Sequence, residues 1–326
     1  MIDQLLRFKP ILKQKIWGGE KLKTVLNKIT EEDSVGESWE ISDVRGDESV
    51  VSNGEFIGKT LKELLKNYKS SLVGESVYKD FKDDFPLLIK YIDAKEVLSV
   101  QLHPNDNMAK QRHDSFGKTE MWYVMQADEK SNIIVGFQKD SNEEEYLHHL
   151  KNKSLLEILN IDEVSKGDVY FIPPGRVHAI GGGVLIAEIQ QTSDITYRIF
   201  DWDRKDKDGS YRELHTDKAL EVINYKSQVS YKTDYVKKQN ETTKVVSCVY
   251  FTTNVLPVKG ELSINHYEKD SFVIYMCVAG NVTFTYKNQI EKLTMGQTIM
   301  IPACLKDFVI SSPEESELLE VFMPKH

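Results

Sequence analysis

The chain has 326 residues, of which 40% are hydrophobic and 29% charged, and a formal net charge of -9. That length suits two domains, and that composition suits globular cores rather than a disordered or fibrous chain. The acidic balance disfavours nucleic acid and anionic membranes as partners, and no apolar run approaches the roughly 20 residues that cross a bilayer.

The N-terminal stretch from Met1 to Gly19 has lysines spread through it and no small-residue cleavage site. It reads as no export signal, which makes the cytoplasm the expected location. Thr60 is an N-cap ahead of Leu61, Leu64, Leu65 and Tyr68, which share one helical face. Short strands rich in β-branched and aromatic residues follow, at Val97–His103, Glu120–Met125, Asn132–Phe137, Asp168–Pro173 and Val184–Gln191. Helical spacing recurs at Glu143–Leu159 and at His215–Tyr225. The polar stretch Lys226–Lys244 reads as a connection, placing a domain boundary near Lys226. A second set of strands occupies Val245–Thr253, Ser271–Gly280, Asn281–Tyr286, Gln297–Ala303 and Leu318–Met323. Spaced short strands of this kind predict a mainly β chain: a barrel with helical insertions over 1–225 and a smaller β domain over 226–326. Cys248, Cys277 and Cys304 are odd in number and form no C-x-x-C pair, which excludes a disulfide framework and a thiolate zinc site.

Three segments carry candidate chemistry. In Ser99-Val100-Gln101-Leu102-His103-Pro104, strand alternation sends Gln101 and His103 to one face and Leu98, Val100 and Leu102 to the other. The polar face either lines a metal cavity or meets solvent at an edge. In Gly117-Lys118-Thr119-Glu120-Met121-Trp122-Tyr123, Glu120 opens an apolar strand two residues after Lys118. The third segment, Gly167 to His178, has the spacing G-x5-P-x-G-x2-H of a cupin motif. Its glycines and Pro173 make turns on either side of a strand, and His178 opens the next. Gln101, His103, Glu120 and His178 together offer two imidazoles, a carboxylate and an amide oxygen, the donor types of an open catalytic zinc site that would equally hold manganese or iron. The segment Gly296 to Asp307 repeats the Gly-x5-Pro spacing with Cys304 at the second glycine position and Asp307 at the histidine position. It reads as a second cupin-like barrel that has lost its ligand.

With these segments stand the runs KIWGG (Lys15–Gly19), GESWEIS (Gly36–Ser42), PLLIKYIDA (Pro86–Ala94), PPGRVHAIGGG (Pro173–Gly183) and AEIQQTSDITYRIFDWDR (Ala187–Arg204). In this order they resemble the short bacterial form of the type I mannose-6-phosphate isomerases, members of the cupin superfamily. The likeness is close over the first two-thirds of the chain and loose over the last third. It implies two cupin-like jelly-roll barrels with a small helical insertion, and one Zn2+ per chain at Gln101, His103, Glu120 and His178. It also implies a small-molecule sugar phosphate as substrate, and interconversion of mannose 6-phosphate and fructose 6-phosphate through a cis-enediolate. Arg198 becomes the catalytic arginine, and Lys118 lies in the site. Glu188, on an apolar strand ten residues before Arg198, either orders the sugar or transfers a proton, or else is a buried carboxylate satisfying Arg198. Arg198 in turn either stabilises charge or pairs with Asp194 or Asp201. Lys90 and Arg45 are both open as phosphate contacts, Arg45 the poorer of the two. His113, His148, His149 and His326 read as solvent-facing or terminal, and Trp17 and Trp39 as core or pocket wall. A cupin Fe(II) oxygenase and a non-catalytic sugar-phosphate-binding protein are the alternatives. The oligomeric state is left open.

Overall fold

The computed structural model describes residues 2–206 and 208–325. His326 lies outside the described residues. The first part of the chain forms β1 (Ile11–Gly19), β2 (Val35–Ile41), α1 (Leu61–Tyr68), β3 (Leu87–Ala94), β4 (Val100–Leu102), α2 (Asp106–His113), β5 (Glu120–Ala127) and β6 (Asn132–Phe137). Next come α3 (Glu143–Lys151), β7 (Leu159–Glu163), β8 (Val169–Ile172), β9 (His178–Ile180), β10 (Val184–Gln191), β11 (Tyr197–Phe200) and α4 (Thr216–Leu220). The last part forms β12 (Thr243–Ser247), β13 (Thr252–Asn265), β14 (Val273–Ala279), β15 (Asn281–Tyr286), β16 (Gln289–Thr294), β17 (Thr298–Ile301) and β18 (Asp307–Phe322).

These strands assemble into three antiparallel sheets, beside a two-stranded ribbon of Asp43–Val44 and Asp47–Glu48. A six-stranded sheet runs β1-β2-β3-β10-β5-β8 and a five-stranded sheet runs β11-β4-β9-β6-β7. Their facing sides meet through Ile92, Trp122, Val124 and Ile186 on one and Ile133, Val135 and Ile180 on the other. The third sheet runs β12-β13-β18-β14-β17, with the β15–β16 hairpin attached along β18. It covers the back of the six-stranded sheet, where Tyr91, Ala187 and Ile189 share a core with Phe251, Val255, Phe272 and Met276. Every residue of β2, β3 and β10 is therefore buried, as expected of strands covered on both faces. The extreme N-terminus also reaches the third sheet, since Leu6 and Met300 exchange backbone hydrogen bonds of 3.0 and 2.9 Å.

The chain is mainly β, as its strand pattern predicts, but the expected barrels are not closed ladders. Hydrogen bonding divides the strands into open sheets laid face to face. Several elements are shorter than their apolar spacing suggests. The helix expected over Glu143–Leu159 ends at Lys151, because Lys153 turns to a φ of 56° and only a 3-10 turn at Leu155–Glu157 follows. The helix expected over His215–Tyr225 closes at Leu220. The run Val245–Thr253 is the corner of a hairpin: β12 ends at Ser247 and β13 begins at Thr252. The Thr60 cap stands as expected. Its hydroxyl accepts from the Glu63 N–H at 3.1 Å, and the Glu63 carboxylate accepts from the Thr60 N–H at 2.8 Å.

Candidate active site

The two facing sheets bring His103, Glu120 and His178 together in the interior. All three are buried, and one ligating atom from each lies within 4.8 Å of the others. The turn before β9 explains the placement of two of them. Gly175 adopts a φ of 79°, and a Cβ there would stand 2.2 Å from the Val222 carbonyl oxygen, so only glycine fits. Its N–H donates to the His103 carbonyl at 2.9 Å, which ties His103 to the turn that launches His178. Glu120 opens β5, where the preceding segment is braced from outside. Asp106 accepts from the Gly117 N–H and from Gln191 Nε2, and Gln191 Oε1 accepts from the Thr119 N–H.

The hydrogen bonds of the imidazoles assign their tautomers. His103 Nδ1 faces the Ile195 carbonyl at 2.8 Å, and His178 Nδ1 faces the Arg176 carbonyl at 2.8 Å. A carbonyl only accepts, so each Nδ1 carries the proton and each Nε2 turns its lone pair inward. The two Nε2 atoms stand 3.4 and 3.5 Å from the two Glu120 carboxylate oxygens. Burial pulls both histidine pKa values down to about 4, helped by Lys118, so both rings are neutral near pH 7. Burial alone would push the Glu120 carboxyl up, but Lys118 and the histidines outweigh it and hold the group well below the usual carboxylate range. Glu120 Oε1 and His178 Nε2 are buried without a hydrogen-bond partner. Unpaired buried polar atoms of this kind are costly, and two neutral imidazole lone pairs with a carboxylate form a donor set suited to a divalent cation.

Through His178 the cluster adjoins a cleft of about 140 Å³ whose walls include Trp17, Trp39 and Trp122. Lys118 Nζ touches Glu120 and lies 3.1 Å from His103 Nε2. Gln101 lies between His178 and Arg198 in the ladder, and its amide oxygen accepts from the Ser99 hydroxyl at 3.2 Å. Leu98 departs from the expected alternation. β4 begins only at Val100, and Leu98 lines the cleft alongside Gln101 instead of facing away from it. Glu188 is buried on the wall, but its partners are the Trp122 indole at 2.8 Å and Lys90 at 3.2 Å, not Arg198. Lys90 in turn stands 3.7 Å from Glu37. Burial pulls its pKa down, but Glu188 and Glu37 reverse this and leave it raised. Arg198 also lines the cleft. It donates from Nη1 to the Glu213 carbonyl at 3.0 Å, while its Nε is buried and unpaired. Asp201, offered by the sequence as its partner, instead holds Arg204 and Arg212.

Two family models match the chain: "Phosphomannose isomerase type I, catalytic domain" over residues 5–145 and "Mannose-6-phosphate isomerase, cupin domain" over residues 240–321. Mannose-6-phosphate isomerase ManA of Bacillus subtilis is 34% identical, the match covering 97% of this chain and 98% of that protein. The chain belongs to the type I phosphomannose isomerase family. A mannose-6-phosphate isomerase of Streptococcus mutans is also 34% identical, over 90% of this chain and 91% of that one. The crystal structure of the Bacillus subtilis mannose 6-phosphate isomerase superposes with a TM-score of 0.87 at 31% identity, covering 98% of this chain and 99% of that one.

The residues that the sequence offers as a site come together in the structure, while others on the rim were not among them. Of the seven expected site residues, Gln101, Lys118, His178, Glu188 and Arg198 line one cleft, His103 and Glu120 are buried against Lys118 and His178, and Trp17 and Trp39 form its wall. Arg45 is exposed on a turn away from it. Lys15, Glu37 and Arg212 were passed over, although all three line the cleft. The available signal was Glu37 within a strand of seven buried residues, where a carboxylate needs a partner. The second half holds a surprise as well. Asp307 is exposed, bonded to Tyr267 and Asn265, and takes no part in a buried site. The buried polar centre there is His266, Tyr275 and Glu320, with Tyr275 donating to Glu320 at 2.8 Å. No helix among the described residues is long and apolar enough to cross a membrane.

Proposed function

We propose that the chain interconverts mannose 6-phosphate and fructose 6-phosphate in the cleft above His103, Glu120 and His178. The observation that carries the reading is the pair of imidazoles locked by backbone carbonyls, with both Nε2 atoms turned toward one carboxylate below a cation-lined cleft. Those three groups fit a divalent cation, which the family resemblance identifies as zinc, with Gln101 as a fourth ligand from the neighbouring strand. When bound, such an ion supplies Lewis-acid polarisation of the sugar's oxygens.

The chain's own residues account for the rest. Aldose–ketose exchange moves a proton between C1 and C2, and negative charge grows on the two adjoining oxygens. Arg198 presents a permanently charged planar donor to that charge and orients the enediolate. Lys118, buried against the carboxylate, is within reach to bind a sugar oxygen or carry a proton. Glu188 is held by Trp122 and Lys90 with its carboxylate facing the cleft, where it orders hydroxyls or accepts a proton. The tryptophans exclude water from the reacting carbons. The facing sheets read as a jelly roll, divided from a second β unit near residue 226.

Family membership and the lysine and arginine beside the cluster favour this reading over an Fe(II) oxygenase or a non-catalytic sugar sensor. The test is conversion of mannose 6-phosphate to fructose 6-phosphate by purified protein, before chelation, after chelation and after zinc is returned. The expected outcome is turnover that disappears with the metal and comes back with it. A folded, zinc-loaded protein that converts neither sugar would refute the assignment.

A further inference from the structure

Five cationic side chains line the cleft: Lys15, Lys90, Lys118, Arg198 and Arg212. The three lysines are each neutralised locally. Lys15 lies 3.0 Å from Glu37, Lys90 lies between Glu37 and Glu188, and Lys118 is against Glu120. The arginines differ. Among the described residues Arg198 has no carboxylate within salt-bridge distance, and the one hydrogen bond of its guanidinium goes to a backbone carbonyl. Arg212 shares the single carboxylate of Asp201 with Arg204. Three guanidinium groups thus face one buried carboxylate on this side of the cleft. Asp194 and the Glu213 carboxylate are close by but exposed, and Glu213 leans toward His215.

Arg212 is also fixed in place. Its Nε and Nη2 donate to the two oxygens of Asp201 at 2.7 and 2.5 Å, a two-pronged grip that orients the guanidinium plane. Among the described residues its Nη1 has no partner. Arg204 donates from Nη1 and Nη2 to the Val97 carbonyl and Asp201 and does not line the cleft. In the ladder, Arg198, Gln101 and His178 form one row across three adjacent strands, and Arg212 comes from the chain beyond the Arg198 end of that row. The cationic end therefore lies on the opposite side of Gln101 from the His178 cluster.

We propose that Arg212, oriented by Asp201, binds the phosphate group of the substrate, so that the sugar lies along the row with its reacting carbons toward His178 and Arg198 is left to the oxygens of those carbons. The inference rests on the isomerase reading for the identity of the substrate but not for the phosphate contact itself. A phosphate monoester carries about 1.5 to 2 negative charges at neutral pH, which suits the cationic side of the cleft where Arg212 stands with a free Nη1 donor. Planar guanidinium donors suit its oxygens better than the neutralised lysines do.

The test uses metal-loaded full-length protein, wild type and Arg212→Ala, with two readouts. Steady-state kinetics gives KM and kcat for mannose 6-phosphate, and calorimetry gives the affinity for inorganic phosphate. Loss of a charge-assisted contact should raise KM and weaken phosphate binding by about 10- to 100-fold, with kcat falling much less. A merely structural role for Arg212 would lower thermal stability without that split. Should the alanine variant not fold, Arg212→Met keeps the stem's packing and carries the same test. Phosphate affinity within twofold of wild type in either folded variant would overturn the proposal. Phosphate binding that depends on Arg212 in a wild-type protein with no sugar-phosphate turnover would uphold the anion site and sink the isomerase reading instead.

Discussion

Lys90 shows how a single side chain holds the wall of the cleft together. It is buried between two carboxylates, Glu37 and Glu188, and its ammonium lies 5.1 Å from the centre of the Trp39 ring. Removing one member of a buried charged set leaves the others uncompensated, which costs about 3–5 kcal/mol. Lys90→Met should therefore lower the free energy of urea unfolding by about that amount and reduce turnover as Glu188 loses its anchor. A loss below about 1 kcal/mol would show that the carboxylates find other partners. This residue also marks how far the sequence could be read. A lysine inside an apolar strand is visible as an anomaly, but Glu37 lies far away in the chain, so the pairing emerges only when β2 meets β3. His103, Glu120 and His178 were legible for the opposite reason. The turn that sets His178 is local, written in Pro173 and Gly175, and only the glycine tolerates its backbone conformation. Arg212 was not legible, because its role depends on Asp201 being shared with Arg204 in three dimensions.

Among the elements, strand positions were read more surely than strand limits or helix lengths. Apolar spacing in Glu143–Leu159 continues past the point where the backbone turns at Lys153, so the pattern overstates the helix. The long β13 and β18 were glimpsed only at one end each, because β13 runs on through Lys259–Asn265 with no buried residue and β18 passes through the exposed Pro313–Glu315, breaking the apolar run that announces a strand. Where β13, β14 and β18 lie side by side, Glu320 accepts from Asn254 at 2.7 Å, Lys269 at 2.6 Å and Tyr275 at 2.8 Å. Burial would raise its pKa, but His266 and Lys269 reverse this and hold it at about 2, against an ordinary 4.5. A carboxyl lowered on folding stabilises the fold fully above the ordinary value and loses that contribution as pH falls toward the folded one. Comparing wild type with Glu320→Gln by urea unfolding, the stability advantage of wild type should shrink between about pH 5 and pH 2. The shift sets an upper limit of about 3 kcal/mol on that change. An advantage that stays constant over this range would mean that Glu320 does not titrate as a paired carboxylate. His266 lies 3.5 Å from Glu320 and titrates with it, so the change belongs to the pair.

At the scale of the whole molecule, the six-stranded sheet is the middle layer. It meets the five-stranded sheet on one side and the third sheet on the other, so the cleft wall is backed by core rather than by solvent. That arrangement explains how a row of buried charges can hold its geometry: the strands that carry Glu37, Lys90 and Glu188 cannot shift without disturbing two interfaces. The class of fold was legible from the strand pattern, whereas the layering was not, because it depends on which face of each sheet is covered. The central claim is that the cluster at the centre of these layers is the catalytic centre. It is tested most directly by titrating zinc into metal-stripped wild type and His178→Ala while measuring bound metal and mannose 6-phosphate turnover on the same samples. In wild type, turnover should rise in proportion to occupancy and level off at one ion per chain, and the variant should show neither the tight ion nor the activity. Full turnover in the metal-free wild type, or in His178→Ala, would contradict it.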